Sequence, residues 1–402
     1  MIAFRVVLPF LAGYFLSYVY RAVNAVLAPS LVGEFGISAE QLGFLTGVYF
    51  FSFGLFQIPL GVLLDRFGPR RVNGSLLLLA AAGALLFARA DSFGSLVAAR
   101  ALIGVGVSAC LMASIQAFIL WFPPERMGTM IALAYSMGGL GAIAASAPLE
   151  LALRAYSWRE IFAFLAASTV LLIAVFVLLV PEHPGPHKPG KLREQLAGLA
   201  AIARDGAFWR VALAIGSTQC AVVSLFTLWV TAWLRDVAGY DPAAAAQGLA
   251  VVALALIAGY FSFGRMADLL ARRGRSQLPL FVGGVAGALV FLGLLILGTT
   301  AGAVLIWAAF VFCGTGATLA HSILTRRYPR EMAGRINTAL NTFTFFGIFI
   351  GQWATGAILN LWPATATGYD PRGYGWALGA LWAVQAAGLA WLWAGRRRFA
   401  TP

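Results

Sequence analysis

Charge is scarce in this sequence. Only 11% of its 402 residues are charged, 15 acids against 28 bases, while 61% are apolar. The mean hydropathy is +0.85. Soluble globular chains carry about 25% charge. Too little is present here to build a water-facing surface, which excludes a soluble enzyme and a disordered chain. Cysteine is scarcer still. Cys110, Cys220 and Cys313 all sit in apolar stretches, which argues for buried small residues and against a disulfide framework or a metal site. No Gly-x-x-x-x-Gly-Lys-Ser/Thr segment occurs, so no nucleotide and no other cofactor is expected.

What the chain does have is a succession of long apolar runs. Crossing a bilayer takes roughly 20 apolar residues in a helix. Runs of that length place spans near 6–29, 41–63, 72–89, 94–120, 127–150 and 158–180, then near 208–234, 243–264, 277–298, 302–325, 335–360 and 374–395. The first run is too long, and too polar near Tyr14, Ser17 and Arg21, for a cleaved signal peptide, so it is read as a retained helix. Between the two sets lies the one long polar stretch, Pro181 to Asp205, rich in proline and then in charge. It reads as a linker ending in a surface helix from Leu192 to Ala203. The expectation is an all-α integral membrane protein of twelve transmembrane helices. A six-helix bundle at 1–180, a linker at 181–206 and a second bundle at 207–402 would make it up.

The placement of the bases sets the orientation. Arg89, Arg154, Arg159, Arg235 and Arg372 fall on one side of these spans, and Arg21 and Arg100 fall inside them. The remaining 21 of the 28 bases, among them Arg66, Lys188, Lys191, Arg193, Arg273, Arg326, Arg327 and Arg396 to Arg398, share the other side. Positive residues stay in the cytoplasm, so both termini and the linker are expected there. The net charge of +13 is then topology rather than a nucleic-acid footprint. The basic residues are 26 arginines and two lysines, a bias associated with GC-rich bacterial genomes. The expected location is a bacterial inner membrane.

The halves echo each other. Gly61-Val-Leu-Leu-Asp65-Arg66-Phe-Gly68-Pro-Arg70-Arg71 follows the second span, and Gly264-Arg-Met-Ala-Asp268-Leu-Leu-Ala-Arg272-Arg273-Gly274 follows the eighth, 203 residues later (264 minus 61). A second pair, Glu125-Arg126-Met-Gly128 and Glu331-Met-Ala-Gly334-Arg335, is offset by 206 (334 minus 128). Both offsets are close to half the chain, the mark of parallel duplicated halves. Such repeats hold a substrate at mid-membrane and work by alternating access.

The loop Gly-x-x-x-Asp-Arg-x-Gly-x-Arg-Arg resembles the signature of the major facilitator superfamily. The weaker copy after span eight, Arg100-x-x-x-Gly104-x-Gly106 in span four and Trp158-Arg159-x-x-Phe162 opening span six fit the same family. The resemblance covers the whole chain. It implies two six-helix bundles related by a pseudo-two-fold axis, secondary transport, and a gating role for the loop charges: Asp65 with Arg66, Arg70 and Arg71, and more weakly Asp268 with Arg272 and Arg273. A solvated loop whose charges serve only topology is the plainer reading of the same residues. Many antiporters of the family carry a Gly-Pro pair in span five. Here Gly138-Gly139-Leu140-Gly141 has no proline, and Pro148 comes later.

Candidate substrate ligands follow from charge inside the spans. Tyr14, Ser17, Arg21 and Asn24 recur at spacings of three and four and share one helix face. A charge within a span usually faces a cavity or a partner; the alternative for Arg21 is a side chain snorkelling outward past Pro29. Arg100 shares a face with Gly104, Val107, Leu111 and Ser114, and is either a cavity residue or a donor to neighbouring carbonyls. No Asp or Glu occurs in the middle of any span. A carrier of hydrophobic cations needs such an acid. Two buried bases call instead for an anion, because arginine's planar fork matches a carboxylate or phosphate. Phosphate exchangers of the family take an arginine from each half, whereas here both lie in the first.

The second half offers neutral polar groups. Asn337, Asn341, Thr344, Gln352 and Thr355 form a stripe in span eleven, and Thr315, Thr318, Ser322 and Thr325 form one in span ten. Such stripes line a cavity or bond helix to helix. Gln219 is central in span seven, and Tyr49, Trp229 and Trp233 are either stacking surfaces or, for the tryptophans, interfacial anchors. His321 is the one group within a span with an ordinary pKa near neutrality, so it and Glu150 are the candidate proton carriers, with a structural histidine as the alternative.

The reading is therefore a non-enzymatic secondary transporter of a small organic anion of carboxylate type, with proton coupling open and the lipid bilayer as its surroundings. No nucleic-acid partner is expected, and it should act as a monomer. The alternative is a proton-driven efflux antiporter of drugs or metabolites.

Overall fold

The computed structural model describes residues 2–123, 126–182, 192–325, 328, 332–365 and 368–395. Lys188, Lys191, Arg326, Arg327 and Arg396 to Arg398, which carry much of the charge asymmetry, lie outside the described residues, as do Glu125 and Glu331 of the second repeated motif.

Among the described residues, ten helices are long and apolar enough to cross a membrane, and a bent pair makes an eleventh. One of the ten runs from Ala39 to Ala88, 50 residues. At 1.5 Å per residue that is about 75 Å, more than twice the hydrocarbon thickness, so it cannot be one crossing. The chain breaks it itself at Gly68, where φ is 76° and ψ is 162°, a left-handed conformation open to glycine. Pro69 follows and starts the next helix, where its missing amide costs nothing. Counted as two arms, spans two and three, this helix brings the described chain to the twelve crossings that the apolar runs imply.

Span one is the bent pair, Phe4–Ala22 and Asn24–Phe35, with 42° between its parts. Pro29 lacks the amide that would bond the carbonyl four residues back, and the bend falls just before that turn. The other spans are Phe93–Trp121, Met127–Leu153, Trp158–Leu179, Gly206–Asp236, Pro242–Arg272, Leu278–Ile296, Ala303–Leu324, Gly334–Leu359 and Pro371–Ala394, spans four to twelve in order. Their starts are written locally. Ser92 and Ser157 close capping boxes with Ser95 and Glu160, and Asp205, Asp241 and Asp370 accept the first free amides of spans seven, eight and twelve. Two spans change pitch. Span seven widens over Leu225–Trp229 and span ten tightens over Thr315–Thr318.

The chain divides into two compact units, Met1–Ile37 with Val48–Gln195 and Ser38–Gly47 with Leu196–Pro402. In the first, span one packs on spans four, five and six; in the second, span seven packs in the same way on ten, eleven and twelve. The repeat seen in the loops is thus also a repeat of packing. The linker helix Leu192–Ala203 forms where expected. Its Ile202 is buried in the core of the second unit with Phe208, Tyr328 and Met332. The Tyr328 hydroxyl donates to Asp205, and the Trp209 indole to the Ala203 carbonyl at 2.7 Å. Also within the second unit, the Ala39 amide donates to Asn360 at 3.1 Å and the Trp353 indole to Glu40 at 2.9 Å.

Candidate functional site

In the first unit, the bend of span one sets Arg21 and Asn24 on either side of Val23, both buried. The Arg21 guanidinium lies 4.5 Å from the Tyr18 ring centre and 5.3 Å from that of Phe53, and it donates to the Tyr49 hydroxyl. Tyr49, from span two, donates in turn to the Ser17 carbonyl at 3.2 Å. The opposite neighbour of Tyr49 is Arg100, whose guanidinium sits 4.9 Å from the ring centre. Spans two and four come close enough for this because Gly104 has no side chain: a Cβ there would run into the Tyr49 carbonyl and the Ser52 hydroxyl. Arg21, Tyr49 and Arg100 are therefore one cluster, with one tyrosine between two cations. Snorkelling of Arg21 is excluded, since its side chain is buried among aromatic rings.

Arg100 is fully buried and only partly satisfied. One Nη donates to the Tyr20 carbonyl at 2.8 Å. Its Nε and the other Nη find no acceptor among the described residues. A buried guanidinium normally has every donor occupied or is paired with an anion. Tyr14, Tyr18 and Tyr135 line the neighbouring surface, with Tyr14 edge-on to Tyr18 at 5.2 Å and to Tyr135 at 6.3 Å. Tyr135 on span five has no polar neighbour at helical spacing, so a search for polar stripes passes over it.

The second-unit candidates fall into two groups. Gln352 is buried and donates to the Thr227 hydroxyl at 2.7 Å, at the widened turn of span seven, while its own Oε1 finds no donor among the described residues. Gln219 and Trp229 are buried too, and the Trp229 indole N–H is likewise unpartnered. Trp229 and Trp233 are each 1% exposed, so neither is an interfacial anchor. The span-ten hydroxyls are spent locally: Thr315 bonds the Phe312 carbonyl and Thr318 the Thr315 carbonyl, at 2.6 and 2.7 Å. Asn341 is half-buried. His321 bonds Asn337 at 3.1 Å across spans ten and eleven, and Glu150 pairs with Arg154 at 3.2 Å, one turn on.

At the loop after span two, the arginines turn away from Asp65. Arg70 donates to the Phe176 and Val177 carbonyls at 3.2 and 2.6 Å, and Arg71 holds Glu182 in a two-point pair at 2.8 and 3.0 Å. These are the last carbonyls of span six, the negative end of its dipole, a favoured place for cations. Asp65 accepts from Gln116 at 3.4 Å instead, and Arg66 lies 5.2 Å from the Phe67 ring centre. Glu182, the acid that answers the arginines, was not among the sequence candidates; its place just beyond span six was the available signal. Asp268 and Arg272 are exposed, with no ion pair among the described residues.

Comparison with known proteins agrees with this picture. A family model described as Major Facilitator Superfamily matches residues 10–352. A probable sulfoacetate transporter of Cupriavidus necator is 26% identical over 297 residues, 69% of each chain. A probable galactarate/D-glucarate transporter of Bacillus subtilis is 23% identical over 386 residues, 86% of this chain and 83% of that one. A solved bacterial homologue of the human lysosomal transporter Spinster superposes with a TM-score of 0.77 at 19% identity, covering 98% of this chain and 97% of that one, a likeness of fold. Signature loop, repeated packing and family match converge: this chain is a multi-pass, non-enzymatic membrane transporter and belongs to the Major Facilitator Superfamily.

Proposed function

We propose that this transporter moves a small organic anion bearing a carboxylate or sulfonate by alternating access, as a monomer in a bacterial inner membrane with both termini cytoplasmic. The observation that carries the reading is the first-unit cluster: two buried guanidinium groups flank Tyr49, and Arg100 has two donors without acceptors. Every acid of that half lies at a span end or in a loop, so no fixed carboxylate is at hand in mid-membrane. An anion supplies the missing charge, and charge-assisted, two-point hydrogen bonds to arginine are the strong ones. Arg21 is the contacting base and Tyr49 orients it. Arg100, behind the tyrosine, holds the positive potential of the pocket. Asn24 shares the Arg21 face and offers a neutral amide for the substrate's hydroxyls. The named substrates of the two relatives, sulfoacetate and the hexarates, are acids of this kind.

Thermal unfolding of the purified protein against a panel of organic anions and cations tests this, since a ligand at a hundredfold excess over its dissociation constant stabilises by about 2.7 kcal/mol. Stabilisation by organic acids that is lost in Arg21→Ala, with the variant still folded, is the expected result. Equal stabilisation of the variant overturns the anion site. Stabilisation by lipophilic cations moves the protein to proton-driven efflux.

A further inference from the structure

Asp236 ends span seven, at the far end from the linker helix, and its carboxylate is unevenly satisfied. Oδ2 accepts two hydrogen bonds, from the Tyr374 hydroxyl at 2.7 Å and the Tyr369 amide at 3.1 Å. Oδ1 is buried and has no partner among the described residues. Gly368 crowds that oxygen so closely that a Cβ there would collide with it. The charged and titratable groups facing Asp236 are few. Arg235 comes from its own helix, Tyr369 and Tyr374 from the segment that opens span twelve. Asp370 and Arg372, beside them, bond each other at 2.8 Å. Asp236 itself forms no ion pair among the described residues.

We infer that Asp236 is a proton-binding site of the transporter, with Oδ1 taking up one proton from the aqueous phase while Oδ2 keeps its two donors. A carboxylate fixed by a positive partner holds its charge. One that has a single well-bonded oxygen and a buried, unanswered one gains by becoming neutral. Binding changes the charge of this end of the second unit by one, and the ring of Tyr369, 6.1 Å from that of Trp229, connects the acid to a candidate substrate residue. The inference rests on the transporter reading, and it places the coupling proton neither on His321 nor on Glu150.

The rival role is a clamp that only ties span seven to the start of span twelve. Asp236→Asn separates the two, because the amide oxygen still accepts from Tyr369 and Tyr374 but the side chain cannot take up a proton. Infrared spectra of the purified full chain in lipid, titrated from about pH 5 to 9, read the carboxyl directly and need no substrate. A protonated-carboxyl band that titrates in the wild type and is missing from Asp236→Asn is expected. A Tyr374→Phe variant, which loses a donor to the ionised form, should shift that band's titration to higher pH. Identical wild-type and Asp236→Asn difference spectra overturn the proposal. So does a variant that loses thermal stability together with the band while Tyr374→Phe leaves the titration unmoved, the behaviour of a clamp. Stabilisation by D-glucarate and sulfoacetate, measured on the same preparations, tests the anion site separately and is expected to survive in Asp236→Asn.

Discussion

Tyr49 is the residue on which the first-unit cluster turns, because its hydroxyl and its ring serve different cations. The hydroxyl accepts from Arg21 and donates to the Ser17 carbonyl, while the ring meets Arg100. Tyr49→Phe keeps the ring and removes the hydroxyl. Hydrogen bonds to charged groups contribute about 1.5–3 kcal/mol, so anion affinity should fall by roughly one to two orders of magnitude, with Arg100 undisturbed. Titration calorimetry with D-glucarate checks this, and an unchanged affinity would separate Tyr49 from the site. Arg21 and Arg100 stand out in the sequence because a base in an apolar run is costly and therefore informative. Tyr49 reads there only as a stacking surface, and its place between the two cations is visible only in the fold. Asp236 and Glu182 do not stand out. Acids at span ends look like ordinary topology, and only the folded chain shows that Tyr374 covers one and Arg71 grips the other.

Among elements, the spans were readable from hydropathy and the linker helix from its place at the end of the one long polar stretch, but the departures from regular helix were not. The widened turn at Leu225–Trp229 contains neither glycine nor proline, so nothing local announces it. It exposes the Thr227 hydroxyl to Gln352, which makes it a matter of packing between helices. The close approach of spans two and four is the reverse case. Gly104 lies in a readable motif, yet the reason for the glycine is visible only against the Tyr49 carbonyl. Gly104→Ala should therefore destabilise the protein by about 1–3 kcal/mol through overpacking and weaken anion binding by displacing Tyr49. Thermal unfolding and ligand titration of the same variant measure the two effects, and a variant as stable as the wild type would mean that the spans part easily.

For the whole molecule, the duplication is the dominant feature, and it is written twice: in the loop motifs and in the parallel packing of spans one and seven on their neighbours. The first copy of the loop is the better bonded. Arg70 and Arg71 are held by span six and Glu182, which leaves Asp65 to Gln116. If those charges shift partners as the transporter cycles, Asp65→Asn should slow uptake several-fold and leave anion stabilisation unchanged. Uptake into proteoliposomes measures this, and wild-type rates would remove Asp65 from the gate. The second copy, with Asp268 and Arg272 exposed and in no ion pair among the described residues, should tolerate the same change.

The partners of the first turn of span two have a consequence for biosynthesis. The Ala39 amide bonds Asn360 and Glu40 accepts from Trp353, residues 321 and 313 positions apart in the chain. At about 5–20 residues per second, the earlier partner leaves the ribosome roughly 15–60 s before the later one exists. That end of the helix must wait, its amide bonded to water or headgroups, until almost the entire polypeptide has been threaded into the bilayer. A nascent chain stalled before Trp353 should accordingly remain open to protease or labelling reagents near Glu40, however complete its first six crossings are.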